Sequence, residues 1–126
     1  MYREEQVRQG IALLDEKLPG WHETFDQSTL NIGRMDSCVL AQASGSHNYV
    51  VGLWLVGLTA REAPDYGFAA GYGVELLLAG HSTWVYESAE LTRTWIILER
   101  EVRFAKISSD LLSLPTQPPA RELVLV

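Results

Sequence analysis

The chain is poor in cysteine and in positive charge. Cys38 is the single cysteine among 126 residues, so no disulfide can form within the chain and nothing indicates an oxidising compartment. Ten lysine and arginine residues stand against sixteen aspartate and glutamate residues, which gives a net charge of −6. Because such a chain gains no affinity by neutralising phosphates, we expect no direct binding to nucleic acid. The acidic charge favours solubility and would suit a basic protein partner.

Long apolar runs and targeting signals are also lacking. The most apolar stretch, Cys38 to Leu58, is interrupted by Gly45 and Ser46. The piece after the break, Tyr49 to Leu58, is about half as long as the roughly 20 apolar residues that a membrane helix needs. The N-terminus, MYREEQVRQG, is charged and has no apolar core of a signal peptide. We therefore expect a cytoplasmic protein with no membrane partner.

The residues that hold metals or act as nucleophiles are few and scattered. The candidates are Cys38, His22, His47 and His81, and no pair of them has the spacing of C-x-x-C or H-x-x-x-H. We therefore expect no metal site and no cofactor. Cys38 begins an apolar run, where a free cysteine usually serves as inert packing. The sequence thus leans against an enzyme without deciding the question.

Helical periodicity is clearest over residues 3–17 and 88–106. Apolar residues recur at helical spacing in both segments: Val7, Ile11, Leu14 and Leu18 in the first, and Leu91, Trp95, Leu98 and Val102 in the second. Pro19 and Gly20 are expected to end the first helix, and Ser88 to cap the second. Glu99 lies off the apolar stripe, where it is expected to form a surface pair with Arg103.

The run from Tyr49 to Leu58 is apolar on two faces. Tyr49, Leu53 and Val56 share one helical face, and Val50, Trp54 and Leu58 share another. A short helix that is apolar nearly all round is typical of a buried core helix. This pattern places Trp54 in the core together with Trp95, whereas Trp21, at a helix end, is expected to be half-buried.

Two segments favour extended structure. Residues 82–87 contain Trp84, Val85 and Tyr86, and residues 122–126 read ELVLV, with three prolines shortly before them. The predicted fold is a mainly α, small single-domain helical protein over residues 1–106 with a proline-containing C-terminal extension, 107–126. A short antiparallel β pair of the two segments is possible, which leaves α+β as the alternative class.

Residues 59–73 read as a loop in which aromatic side chains alternate with glycines. Tyr66, Phe68 and Tyr72 are expected to pin this loop onto the core. A ligand-binding loop is the other interpretation, because loops often carry function. The glycine spacing does not match a phosphate-binding fingerprint.

Five motifs resemble those of one family when they are taken together and in order. They are GIALLDEKLPGW, TLNIGRMDSCVLAQ, YVVGLWLVGL, YGFAA and ELTRTW, over residues 10 to 100. The pattern resembles a family of small uncharacterised proteins of actinobacteria and of the bacteriophages that infect them. The resemblance implies a phage or actinobacterial context, and hence the host cytoplasm if the chain is phage-encoded, but no activity.

The chain departs from that family pattern in two respects. Met35 stands where many members carry a second cysteine, so the C-x-x-C site is absent. Residues 74–87 and the tail beyond Lys106 also look unlike the usual short members. Because interfaces favour exposed aromatic residues, the predicted interaction surface combines aromatic and terminal apolar residues: Trp84, Tyr86, Tyr72, Leu123, Val124 and Leu125.

Three functions remain open from the sequence. The first is a non-enzymatic, phage-derived accessory protein that binds another protein, either a host or defence component or an assembly partner. The second is a small enzyme or small-molecule binder that uses loop 64–73 with His81 or Cys38. The third is a structural subunit that self-associates through its C-terminal segment.

Overall fold

The computed structural model describes residues 1–70 and 81–112, with the side chains of the second segment described from residue 85 onward. The elements in these segments are α1 (Glu4–Lys17), α2 (Trp21–Thr24), α3 (Val39–Ser44), α4 (Tyr49–Val56), a 3₁₀ turn (Ala63–Tyr66) and α5 (His81–Leu112). Every regular element in the described residues is helical. The prediction of a mainly α, small single-domain protein is therefore confirmed.

Helix α1 follows its predicted bounds closely. Val7, Ile11 and Leu14 are buried on the face that packs against α5, α4 and the 3₁₀ turn. The helix ends at Lys17, directly before Pro19, and Gly20 takes a φ of 90° that other residues rarely adopt. The chain then turns straight into α2, which buries Trp21 against the end of α1.

Helices α3 and α4 pack against each other and are joined by a short polar turn. Asn48 caps α4 by accepting hydrogen bonds from the backbone N–H groups of Val50 and Val51, at 2.9 and 3.3 Å. Gly52 allows the close approach of the two helices, because a Cβ at this position would lie 2.5 Å from the Leu40 carbonyl oxygen. The backbone of α4 at Gly52 therefore lies directly against Leu40 of α3, and no larger side chain fits between the two helices at this point.

Helix α5 is longer than the predicted 88–106 segment at both ends. It begins at His81, so residues 82–87 are helical and the predicted strand there is wrong. Ser88 is consequently a buried residue inside the helix and not its N-cap. The helix continues to Leu112, so residues 107–112 extend α5. The other half of the proposed β pair, residues 122–126, lies outside the described residues, as do residues 71–80.

The core is centred on Trp95, which is fully buried in the middle of α5. Its indole stacks on Phe68 with ring centroids 5.6 Å apart and meets Trp21 edge-on at 6.1 Å. The indole N–H donates a 2.6 Å hydrogen bond to the Gly67 carbonyl oxygen. One side chain thus joins α5 to α2 and to the segment that follows the 3₁₀ turn.

Two expectations for tryptophans are wrong in opposite directions. Trp54 was expected in the core, yet it is 79% exposed, whereas Trp21 was expected to be half-buried and is 2% exposed. The reason is that only one of the two apolar faces of α4 finds a neighbour. Leu53 and Val56 pack inward, and the second face is left outside.

We predict that Gly10→Ala destabilises the fold. A Cβ at Gly10 would overlap the Tyr66 carbonyl oxygen and lie 2.9 Å from the Trp95 ring. Alanine favours a helix by about 1 kcal/mol over glycine, but overpacking against backbone costs about 1–3 kcal/mol, so the free energy of unfolding should fall. Urea unfolding followed by circular dichroism measures the change. Gln9→Ala, at the exposed neighbouring position, is the control and should be neutral or slightly stabilising; equal stability of both variants would contradict the packing described here.

Candidate functional site

The outer face of α4 presents a contiguous apolar surface. Val50, Val51 and Trp54 are 57%, 37% and 79% exposed, and they lie within one turn of each other. Leu58 follows the end of the helix and packs partly against the core, so it does not extend this face. Single exposed apolar residues are ordinary, but a cluster that contains an exposed tryptophan is typical of a binding surface. We call Val50, Val51 and Trp54 the α4 surface.

The α4 surface sits on a helix that is fixed at both ends. Asn48 caps the first turn, and Gly57, with a φ of 75°, ends the helix and donates its N–H to the Leu53 and Trp54 carbonyl oxygens. The Tyr49 N–H also donates a 2.9 Å hydrogen bond to the Met35 carbonyl oxygen. The exposed indole is therefore carried by a backbone whose position is set before any partner arrives.

The residues predicted from sequence as an interaction surface are only partly described. Tyr86 is 65% exposed on the first turns of α5, which agrees with an exposed position. The Trp84 side chain, Tyr72 and the terminal Leu123, Val124 and Leu125 lie outside the described residues. Their joint role in one surface stays a prediction, and the α4 surface is a separate site that the sequence reasoning missed.

Cys38 is placed where it is a poor nucleophile. It is 1% exposed, and burial raises the pKa of its thiol, with the nearby charge of Asp36 acting in the same direction. The thiol is therefore kept protonated at neutral pH, whereas a nucleophilic cysteine needs a lowered pKa. The neighbouring part of loop 64–73 is packed inward, since Pro64, Phe68 and Ala70 are buried.

A small cavity nevertheless adjoins Cys38. It has a volume of about 160 Å³ and is lined by Cys38, Tyr49, Phe68, Ser88 and parts of segments 32–35 and 69–70. The Ser88 hydroxyl is buried and has no hydrogen-bond partner among the described residues. Burial also raises the pKa of the Tyr49 phenol, so Ser88, Tyr49 and Cys38 are neutral at physiological pH. Arg34, the charged residue of the lining, is exposed and pairs with Asp36. The inner wall of the cavity is thus equipped to hold a small uncharged molecule more readily than to perform acid–base chemistry.

A second polar feature is the acid–histidine cluster, formed by Asp15, His22, Glu99 and Arg103. The imidazole of His22 lies between two carboxylates, with Nδ1 3.7 Å from a Glu99 oxygen and Nε2 3.6 Å from an Asp15 oxygen. Arg103 Nε lies 3.4 Å from the other Glu99 oxygen. The Glu99 side chain is only 2% exposed, so the prediction of a surface pair with Arg103 is wrong in its location although the pair itself exists.

The acid–histidine cluster joins three helices. Asp15 belongs to α1, His22 to α2 and Glu99 to α5, and the Trp21 indole N–H also donates a 2.8 Å hydrogen bond to Asp15. Among the described residues, His22 Nδ1 and one Glu99 oxygen have no hydrogen-bond partner, and their separation of 3.7 Å is longer than a hydrogen bond. A surface cavity of about 380 Å³ borders Asp15 and His22. Because the two carboxylates flank opposite sides of the imidazole, the arrangement clamps helices together and does not converge on one ligand.

Metal and membrane sites were sought in the part of the chain that the structure describes. No group of three or more histidine, cysteine, aspartate or glutamate side chains there is arranged to hold a metal ion. No helix within the same residues combines the length and apolar character needed to cross a membrane.

Comparisons with protein-family profiles, with curated proteins and with solved structures found no match to this chain.

We predict that Cys38 reacts slowly with a thiol reagent in the folded protein at neutral pH and rapidly after denaturation. Its raised pKa also has a consequence for stability. As pH rises above the ordinary thiol pKa, the unfolded thiol ionises first, so the free energy of unfolding decreases until the folded thiol ionises too. Cys38→Ala should remove this part of the pH dependence and leave the part due to Tyr49. Rapid labelling of the native protein would contradict the burial of the thiol.

We also predict that Glu99→Gln lowers the free energy of unfolding by about 1–3 kcal/mol, because it leaves Arg103 and His22 without the carboxylate that both face. Glu101→Gln, two residues away, is the control. Glu101 pairs with Arg8 at the surface, and exposed pairs contribute about 0–1 kcal/mol. Chemical unfolding of both variants compares the two sites. A loss for Glu99→Gln no larger than for Glu101→Gln would show that the cluster does not stabilise the fold.

Proposed function

We propose that this chain is a non-enzymatic binding protein that recognises another protein through the α4 surface. The observation that carries the proposal is Trp54, which is 79% exposed on a helix whose ends are both capped. An exposed indole leaves a large apolar area in water, and tryptophan is among the residues that contribute most to protein interfaces. Its rigid support lowers the ordering cost of binding.

The chemistry of the surface defines the partner. A complementary protein offers an apolar pocket that receives the indole of Trp54, flanked by shallower contacts for Val50 and Val51. The net charge of −6 favours a basic rim around that pocket, because complementary charge speeds encounter and rejects acidic competitors. Cys38 is buried and protonated, which supports a binding role over a covalent one.

The motif resemblance supports a phage-derived accessory protein that acts in the host cytoplasm. In that setting the partner is a host or defence component, or another protein of an assembly. The predicted residues Tyr86 and Trp84 on α5 remain part of this proposal as a second contact region, supported by the 65% exposure of Tyr86.

A second candidate function is the binding of a small uncharged molecule in the cavity beside Cys38. The unpartnered hydroxyl of Ser88 favours it, since buried polar groups are usually satisfied. Such a ligand would place one hydrogen-bonding atom against Ser88 and apolar atoms against Phe68. A thermal-shift screen of small uncharged compounds, repeated on Ser88→Ala, tests this candidate: stabilisation that survives the substitution would exclude Ser88 as the anchor.

For the principal proposal, we predict that Trp54→Ser abolishes specific capture of a protein from actinobacterial lysate without changing the fold. Truncating a central interface tryptophan typically costs about 2 kcal/mol or more, which is roughly a thirtyfold loss of affinity. Immobilised wild-type and variant chains are compared by quantitative mass spectrometry of the captured proteins, and circular dichroism checks folding.

Leu112→Ser is the matched control, because Leu112 is 87% exposed on a different helix. It should retain whatever the wild-type chain captures. Equal capture by the wild type and by Trp54→Ser, or no specific capture by the wild type, would remove the support for the α4 surface as the binding site.

A further inference from the structure

Helix α5 extends beyond the body of the protein. Every residue from Arg103 to Leu112 is exposed, whereas Leu91, Trp95 and Leu98, earlier in the same helix, are fully buried. The contacts of α5 with the rest of the described fold therefore end near Val102, and nearly three turns continue past them.

An apolar stripe runs along α5 and continues into this projecting part. Its members are Ile97, Phe104, Ile107 and Leu111, which are 42%, 64%, 49% and 63% exposed. Ile97, Phe104 and Leu111 are seven residues apart, and Ile107 follows Phe104 by three, which is the a and d spacing of a coiled coil. At 3.6 residues per turn the stripe lies on the opposite side of α5 from Leu91 and Leu98. Packing on the body of the protein does not explain it.

We propose that α5 pairs antiparallel with α5 of a second copy of this chain through the stripe. The pairing is sterically open from Phe104 onward, where every described residue of α5 is exposed. At Arg100 the body of the same copy comes close, since the guanidinium donates a 2.8 Å hydrogen bond to the Gln27 side chain. The two copies would bury Phe104 of one against Ile107 of the other, twice by symmetry, and would set Leu111 against the aliphatic stem of Arg100. This surface is separate from the α4 surface and does not depend on the proposed function.

The charges beside the stripe select the orientation and the register. In the antiparallel register that places Phe104 opposite Ile107, the flanking position of Arg103 faces that of Asp110 in the second copy. A shift of one heptad in one direction sets Arg103 against its own counterpart, and a shift in the other direction sets Asp110 against its own. A parallel pair would bring the two Arg100 side chains together at the seam. The antiparallel register centred between Phe104 and Ile107 alone joins opposite charges.

The test is the molar mass of the full chain in solution as a function of protein concentration. Sedimentation equilibrium or light scattering should show a monomer that converts to a dimer as concentration rises. Phe104→Glu should lower the association constant by about tenfold or more, because it places a charge in the apolar seam. Leu112→Glu is the control, since Leu112 is exposed but lies off the stripe, and it should leave association nearly unchanged.

A charge exchange tests the register itself. Arg103→Asp alone and Asp110→Arg alone should each weaken self-association, because each sets like charges against each other between copies. A mixture of the two variants should recover the dimer, because opposite charges then meet in the heterodimer. Arg103 also contacts Glu99, so circular dichroism is measured for each variant, and recovery in the mixture cannot arise from misfolding.

A chain that stays monomeric at all concentrations, or a dimer that Phe104→Glu leaves intact, would overturn the proposal. A dimer that loses affinity with Phe104→Glu while the mixed charge variants recover nothing would overturn the antiparallel register.

Discussion

The structure depends on the burial of one indole. The buried Trp95 needs an acceptor for its N–H and neighbours for its ring. The Gly67 carbonyl oxygen accepts the hydrogen bond, Phe68 stacks on the ring, and Trp21 meets it edge-on. Gly10 is required for the same reason, since a side chain there would run into the ring. The positions of α1, α2, α5 and the loop before residue 70 therefore follow from a single side chain, whose displacement would loosen four segments together.

This arrangement decides which apolar residues remain outside. Helix α4 reaches the core through α3 and α1, and the close contact of Gly52 with the Leu40 backbone fixes which of its faces turns inward. Leu53 is covered as a result and Trp54 is left in water. Likewise α5 is held at Trp95 and Leu98, so its last turns extend beyond the body. The core therefore decides which positions of α4 and α5 face outward, but it does not require the residues at those positions to be apolar.

Local patterns predicted the two long helices well and the environment of α4 poorly. The stripe through Leu91 and Trp95 identifies a core-facing helix because one face is apolar and the others are charged. In α4 both faces are apolar, so periodicity cannot say which of Leu53 and Trp54 is buried; that depends on Gly52, whose role appears only once its neighbour Leu40 is known. The β-branched and aromatic composition of residues 82–87 favours a strand, but these residues form the first turns of α5. The helix as a whole overrides that weak local preference. The burial of Glu99 was equally hidden, since its partner His22 is distant in sequence.

The two exposed apolar features differ from what core packing alone produces. A residue that faces outward is free to be polar, and most of the outward positions of α1 are polar. Trp54 gains nothing for folding in water, and apolar residues at heptad spacing on the far side of α5 gain nothing either, while both increase the tendency to aggregate. The net charge of −6 counteracts that tendency. A foreign partner at the α4 surface and a second copy of the chain at the α5 stripe, both proposed above, would each give one of these exposed apolar surfaces a physical reason to exist.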